Sequence, residues 1–297
     1  MRAPGTGPSG LQAFALTALT MIAFAANSVL GRMGLLGGDI GAGSFALIRL
    51  ISGAVVLALI AGPMRTVKSG TWRGGLALLV YAAFFSYAYL QLDAGTGALL
   101  LFAMVQATMV GAGLVGGERF TALQWIGIVT AFGALVWLVS PGLDAPPLMA
   151  AGAMMIAGVG WGVYSLIGRT AGATPTLNTA GNFWRASLLA LVLLGPILLY
   201  IHPEQRPGTN GIIIAAVSGA ITSGLGYALW YYTLKSLTAM RAGVSQLTVP
   251  AIAAFGGILF LGEDPTLRFV LSSALILAGV GLATLTPGKE RKTVDTD

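Results

Sequence analysis

Apolar residues run along this chain in blocks of about 20, the length a helix needs to cross a bilayer. Short clusters of glycine, proline and charge separate the blocks. The pattern predicts ten spans, near 11–31, 44–62, 74–92, 96–116, 121–140, 147–168, 178–200, 211–234, 240–261 and 266–286. The breaks fall at Gly37-Gly38-Asp39, Gly62-Pro63, Asp93-Ala94-Gly95, Gly117-Glu118-Arg119, Pro141-Gly142, Arg169 to Pro175, His202 to Pro207, Lys235 to Arg241 and Gly262 to Pro265. No break is long enough to fold as a separate domain. The first block is longer than a secretory signal core and many others follow it, so it is expected to remain as an uncleaved first span.

The blocks also repeat. Tyr87, Leu92, Gly111 and Gly117-Glu118 recur 145 positions later as Tyr232, Leu237, Gly256 and Gly262-Glu263. Gly31-Arg32 recurs as Gly168-Arg169 at an offset of 137, and Arg49 as Arg185 at 136. Five spans per repeat is an odd number, so the second repeat enters the membrane from the opposite face. In such inverted repeats, cargo sits near the midplane between the halves and the halves rock around it. The expected organisation is a tail over 1–10, a first five-helix repeat over 11–140, a second over 147–286 and a tail over 287–297.

Charge sets the orientation. With the N-terminus inside, eleven lysines and arginines fall in cytoplasmic segments and only Arg32, Arg206 and Arg268 in outer loops. This bias places both termini in the cytoplasm. Charged residues are 9% of the chain, against about 25% in soluble domains, so a water-exposed globule is excluded. The net charge of +6 does not form the concentrated basic face that nucleic acid requires. Cysteine is absent, which removes disulfides and thiolate metal sites, and the single histidine, His202, lies in a loop beside Pro203 and Glu204. No metal or cofactor is expected.

The paired Gly-Glu motifs, each after a small-residue span and before a short Gly-rich one, and the single arginine in the second span of each half resemble the EamA-type branch of the drug/metabolite transporter superfamily. Tyr227-Ala228-Leu229-Trp230 leading to Val249-Pro250, with Trp161 and Tyr164 on the sixth span, is similar to the aromatic amino-acid exporters within it. The resemblance implies ten helices in two inverted halves. It also implies a central cavity lined by the first, third, fourth, sixth, eighth and ninth spans, and export of small metabolites. The half-one counterpart of Pro250 is Val105, a departure from a kink shared by both halves.

Several residues inside the spans are candidates for that cavity. Intramembrane charge is costly and usually functional, which singles out Arg49 and Arg185. Both sit close enough to a helix end to snorkel instead. Arg185, one turn from Asn182, is the better candidate for a substrate carboxylate, and Arg49 is assigned with Pro250 to kinking or gating. Tyr227, Trp230 and Tyr231 share a helix face, as do Trp161 and Tyr164, and Asn27 aligns with Tyr164 through the repeat. Aromatics with a polar tip stack on flat apolar ligands and still offer a hydrogen bond. An interfacial belt is the competing reading, and it is the favoured one for Tyr231 and Tyr232. Tyr81, Gln106 and Gln246 complete the substrate-binding set; an amide inside a span serves equally as glue between helices.

All ten acidic residues lie outside the spans. A proton-coupled pump keeps a carboxylate or histidine in its path, so uniport-like movement is expected, with Glu118 and Glu263 capping the following helices. The reading is a bacterial inner-membrane exporter of aromatic or large neutral amino acids, working by alternating access. Its partners are a small-molecule substrate and the lipid bilayer, with a monomer as the working state. The alternative is export of another small metabolite or drug, such as a nucleoside or cationic compound. A membrane-embedded enzyme is remote, because no HExxH, GxSxG or DDxxD string occurs.

Overall fold

The structure is a computed structural model that describes residues 10–170, 174–200, 207–234, 237, 242 and 245–285. The two tails apart from Gly10, together with His202, Lys235 and Arg241, lie outside the described residues. Every element is helical and no strand occurs among the described residues. The helices are α1 (Gly10–Leu36), α2 (Ala42–Ala61), α3 (Pro63–Val67), α4 (Trp72–Ala88), α5 (Ala94–Val115), α6 (Ala122–Val139), α7 (Leu148–Thr170), α8 (Pro175–Leu193) and α9 (Gly195–Tyr200). There follow α10 (Thr209–Val217), a π-helical segment (Ser218–Leu225), α11 (Gly226–Leu234), α12 (Thr248–Leu261) and α13 (Leu267–Leu285).

Among the described residues, six stretches are long and apolar enough to cross a membrane: Leu11–Leu36, Ala42–Ala61, Ala94–Val115, Ala122–Val139, Leu148–Arg169 and Thr209–Leu234. Shorter apolar helices occupy Thr248–Leu261 and Leu267–Ala283. Large apolar side chains such as Leu59, Ile60, Val136, Phe255 and Phe260 are exposed on their outer faces. A water-soluble protein would not tolerate so much of this surface, whereas lipid tails solvate it. The chain is a polytopic membrane protein.

Packing follows the exchange of halves. α4 packs on α7 as the α10–α11 span packs on α1, and α5 packs on α7 as α12 packs on α1. α2 lies against α8, α5 against α12, and α6 against α13. Loops alternate between two ends of the bundle. At one end, the Gly208 N–H donates to the Asp39 carbonyl at 2.7 Å, and Arg268 donates to the carbonyls of Trp137 and Ser140. At the other, the Thr71 N–H donates to Asn182 Oδ1 at 2.8 Å.

The two Gly-Glu motifs have a common local cause. Gly117 and Gly262 take φ of +83° and +65°, the left-handed conformation that ends a helix and that only glycine adopts without strain. The chain then turns back, so that the Glu118 N–H donates to the Gly113 carbonyl at 2.9 Å and the Glu263 N–H to that of Gly257 at 3.2 Å. Each glutamate side chain folds over the glycine it caps, Gly113 or Gly257, where a Cβ would collide with the carboxylate.

Candidate functional site

A polar cluster lies in the centre of the bundle. Arg49 of α2 is 1% exposed and does not snorkel to an interface. Its Nε donates to Ser223 Oγ at 2.9 Å. Its Nη2 donates to the hydroxyls of Tyr81, at 2.6 Å, and Tyr227, at 3.0 Å. The guanidinium carbon also sits 4.4 Å from the Phe85 ring centroid, an attractive cation–π distance. The two tyrosine hydroxyls, one from each half, are 3.0 Å apart. Asn27 of α1 completes the cluster by donating to the Tyr81 hydroxyl at 3.0 Å.

The second half supplies a hydroxyl ladder to Asn27. Ser218, Thr222 and Ser223 approach Asn27 Oδ1 at 2.8, 3.1 and 3.3 Å. The wider turns of a π-helix, closed by i→i+5 bonds, bring positions four and five residues apart onto one face. Gly219 allows this segment to press against α2, since a Cβ there would meet the backbone of Arg49.

An aromatic layer covers the cluster. Phe24 meets Trp161, Tyr227 and Trp230, each at 5.7 Å between ring centroids and edge-on. Trp161 lies 4.4 Å from Tyr227 and 5.4 Å from Tyr164. Such contacts hold large rings in fixed relative positions. Beyond the layer, toward the Glu118 end, opens a cavity of ≈740 Å³. Trp230 and Tyr231 form part of its wall, with Gln106, Gln246, Glu118 and Arg169. Between layer and cluster only ≈10 Å³ is left empty, beside Asn27, Tyr81, Trp161 and Tyr227.

At the opposite end, where a cavity of ≈260 Å³ touches Asp93 and Glu263, side chains join the first and second halves of the chain. Both carboxylate oxygens of Glu263 accept the Ala94 N–H at 3.0 Å, at the start of α5. Arg32 stands 3.7 Å from Glu263 and 3.7 Å from Asp93, and donates to the carbonyls of Tyr89 and Leu90 at 3.2 and 3.1 Å. Burial pushes the Glu263 carboxyl up from its ordinary value and Asp93 adds to the shift; the Ala94 N–H and Arg32 oppose it. Glu263 thus caps a helix of the other half, not the helix that follows it. Glu118 and Arg169, the repeat counterparts of Glu263 and Arg32, are both exposed and line the open cavity.

The remaining candidates are placed as follows. Arg185 donates to the carbonyls of Ser69 and Gly181 and stacks over Trp72 at 5.5 Å, so it braces the α3–α4 connection. Asn182 accepts from Thr71 and, with Tyr164, lines a side cavity of ≈300 Å³. Pro250 lies in the first turn of α12, which starts at Thr248; helical Ser245 and Gln246 precede it across a turn at Leu247, and its missing N–H is the one that a continuous helix would direct to the Gln246 carbonyl. Tyr231 is buried against Tyr164 and Gly168 and so is no belt residue, whereas Tyr232 is exposed.

Comparison with known proteins fits this architecture. Residues 148–285 match the EamA-like transporter family. The chain belongs to the EamA-like transporter family. An uncharacterized protein of Pseudomonas aeruginosa is 47% identical over 270 residues, covering 90% of this chain and 92% of its own. A Streptantibioticus cattleyicolor protein named "Probable terminal-alkyne amino-acid exporter" is 26% identical over 89% of this chain and 90% of its own. The threonine/homoserine exporter RhtA of Escherichia coli (strain K12) is 29% identical over 59% of each chain. A crystal structure only 16% identical superposes with a TM-score of 0.63 over 93% of this chain and 98% of that one, and so shares the fold.

In this EamA-like transporter, the sequence pattern did not single out Phe24, Phe85, Ser218, Thr222 or Ser223. The serine–threonine run 218–223 inside an apolar span carries a signal, since hydroxyls there seek partners across helices. The phenylalanines carry none, being indistinguishable from lipid-facing ones until the helices are packed.

Proposed function

We propose that this EamA-like transporter exports amino acids with aromatic or large neutral side chains across the bacterial inner membrane by alternating access. The observation that carries the reading is the ≈740 Å³ cavity that ends on Trp230 and Tyr231, backed by the Trp161–Tyr227–Phe24 layer. A flat apolar side chain suits such a wall. The amino-acid exporters among its relatives support the substrate class.

The proposal includes ten membrane crossings in two inverted five-helix repeats, 11–140 and 147–286, with both termini cytoplasmic. The lysine and arginine bias then makes the Glu118 end cytoplasmic, and the cavity faces the compartment from which cargo leaves. The Arg32–Glu263–Ala94 latch closes the outer end, and Glu118 and Arg169 occupy the equivalent place at the open end. Asn27, Tyr81, Trp161, Tyr227 and Trp230 form the substrate path. Gln106 and Gln246 form its entrance, and Tyr164, Asn182 and Arg185 support its wall.

No acidic residue lies in a predicted span, so movement down the substrate's own gradient is the proposed energetics. Efflux of labelled phenylalanine from proteoliposomes tests both points. Efflux is expected with or without a pH gradient. Efflux that collapses when the gradient is dissipated contradicts the uniport mechanism, and no efflux under either condition contradicts the substrate class.

A further inference from the structure

Arg49 carries a positive charge in the middle of the bundle, and among the described residues no acid pairs with it. The ten acidic residues all lie outside the spans, and the ion pairs among the described residues belong to Arg32. A buried charge without a counter-ion costs several kcal/mol. The protein offsets part of this with neutral groups: the hydroxyls of Tyr81, Tyr227 and Ser223 and the face of Phe85. It leaves Arg49 Nη1 without a hydrogen-bond partner, as it does Trp161 Nε1 in the layer above. Arg185, the repeat counterpart, also leaves one nitrogen unpartnered, its Nε, but it directs both terminal nitrogens to backbone carbonyls, whereas the free nitrogen of Arg49 is a terminal one.

We propose that the Arg49 cluster is a carboxylate subsite and that the transporter takes small carboxylates with a flat apolar body; this rests on the transport reading above. The carboxylate meets the guanidinium through its unpartnered Nη1 and, once the tyrosine hydroxyls withdraw from Nη2, through both terminal nitrogens, the bidentate pairing that is among the strongest hydrogen bonding arginine makes. The ≈10 Å³ beside Tyr81 and Tyr227 does not admit a carboxylate in the present state. Entry requires the Tyr81–Tyr227 contact, which joins α4 to α11, to part, as it does when the halves rock. The apolar body then rests on Trp161 and Trp230, and the ligand's charge takes over the compensation that the hydroxyls now supply.

The test is thermal stabilisation of the full chain in detergent by phenylalanine, 3-phenylpropionate, phenylalaninamide and phenethylamine. The first two carry the carboxylate and the last two lack it. Phenylalanine and 3-phenylpropionate are expected to stabilise the protein, and the two cations to have no effect. Arg49→Gln is expected to weaken carboxylate binding by about 10- to 100-fold, the range of a charged hydrogen bond. Arg49→Lys keeps the charge, loses the fork, and is expected to retain the preference at reduced affinity; it serves should Arg49→Gln fail to fold. Equal stabilisation by carboxylates and amines, no stabilisation by any carboxylate, or a carboxylate preference unchanged in Arg49→Gln overturns the subsite. If carboxylates bind through Arg49 but no amino acid crosses the membrane, the subsite stands and the export reading falls.

Discussion

Glu263 and Ala94 lie 169 positions apart, yet both carboxylate oxygens of the one accept the backbone N–H of the other at 3.0 Å. The contact places an anion at the N-terminal end of α5, where the helix dipole favours it. It also joins the two halves at the end of the bundle opposite the large cavity. Loss of a hydrogen bond to a charged group costs about 1.5–3 kcal/mol. Glu263→Ala is therefore expected to populate the state open at this end. The chain contains no cysteine, so a single Ser28→Cys, buried beside the small central cavity, reports on access. Labelling by an impermeant maleimide from the Glu263 side should rise about tenfold or more in the Glu263→Ala background. Unchanged labelling would show that the latch does not hold this end.

The same latch predicts a pH dependence. In the closed state the Glu263 carboxyl is pushed up by burial and by Asp93; released to water, it returns to the usual glutamate value of about 4.3. Protons therefore bind the closed state better. Between the usual value and the raised one, falling pH favours closure and rising pH withdraws that favour. Ser28→Cys labelling, taken at each pH relative to the same thiol in the unfolded protein so that thiol ionisation cancels, should increase as pH rises through this window and level off above it, and Glu263→Gln should remove the dependence. Labelling that increases as pH falls would reverse the sign and exclude the mechanism.

Hydropathy alone made the helical, membrane-spanning class legible, because the bilayer demands long apolar blocks whatever the tertiary arrangement. The repeat likewise exposed the Gly-Glu pairs. Their partners were not legible: Glu263 reaches Ala94 rather than the helix that follows, and no local spacing encodes a contact between halves. Arg49 and Arg185 look alike in sequence, at similar depth in equivalent spans. Packing separates them, because Arg185 finds the carbonyls of Ser69 and Gly181 while Arg49 finds hydroxyls brought in by α4, the π-helical segment and α11. Tyr231 and Tyr232 are neighbours with opposite fates, one turned to Gly168 and the other outward.

Gly219 is expected to be intolerant. A Cβ there would meet Arg49 and Ser52, so Gly219→Val forces α2 away from the π-helical segment. Overpacking of this kind costs about 1–3 kcal/mol. Thermal unfolding in detergent should show a lower Tm and, because Ser218 and Ser223 lose their register on Asn27, weaker substrate binding. A variant with wild-type Tm and binding would contradict the close crossing.

The account stands most directly on the aromatic wall, and one panel addresses it. Counterflow of labelled phenylalanine, tryptophan, leucine and threonine, with a nucleoside and an organic cation beside them, is measured for the purified protein in liposomes and for Trp230→Ala. The prediction is that aromatic and large neutral amino acids exchange, and that Trp230→Ala lowers phenylalanine and tryptophan relative to threonine by about tenfold, the scale of one lost ring contact of ~1.5 kcal/mol. Exchange of the nucleoside or the cation alone, or a substrate ranking that Trp230→Ala leaves untouched, would contradict the central claim.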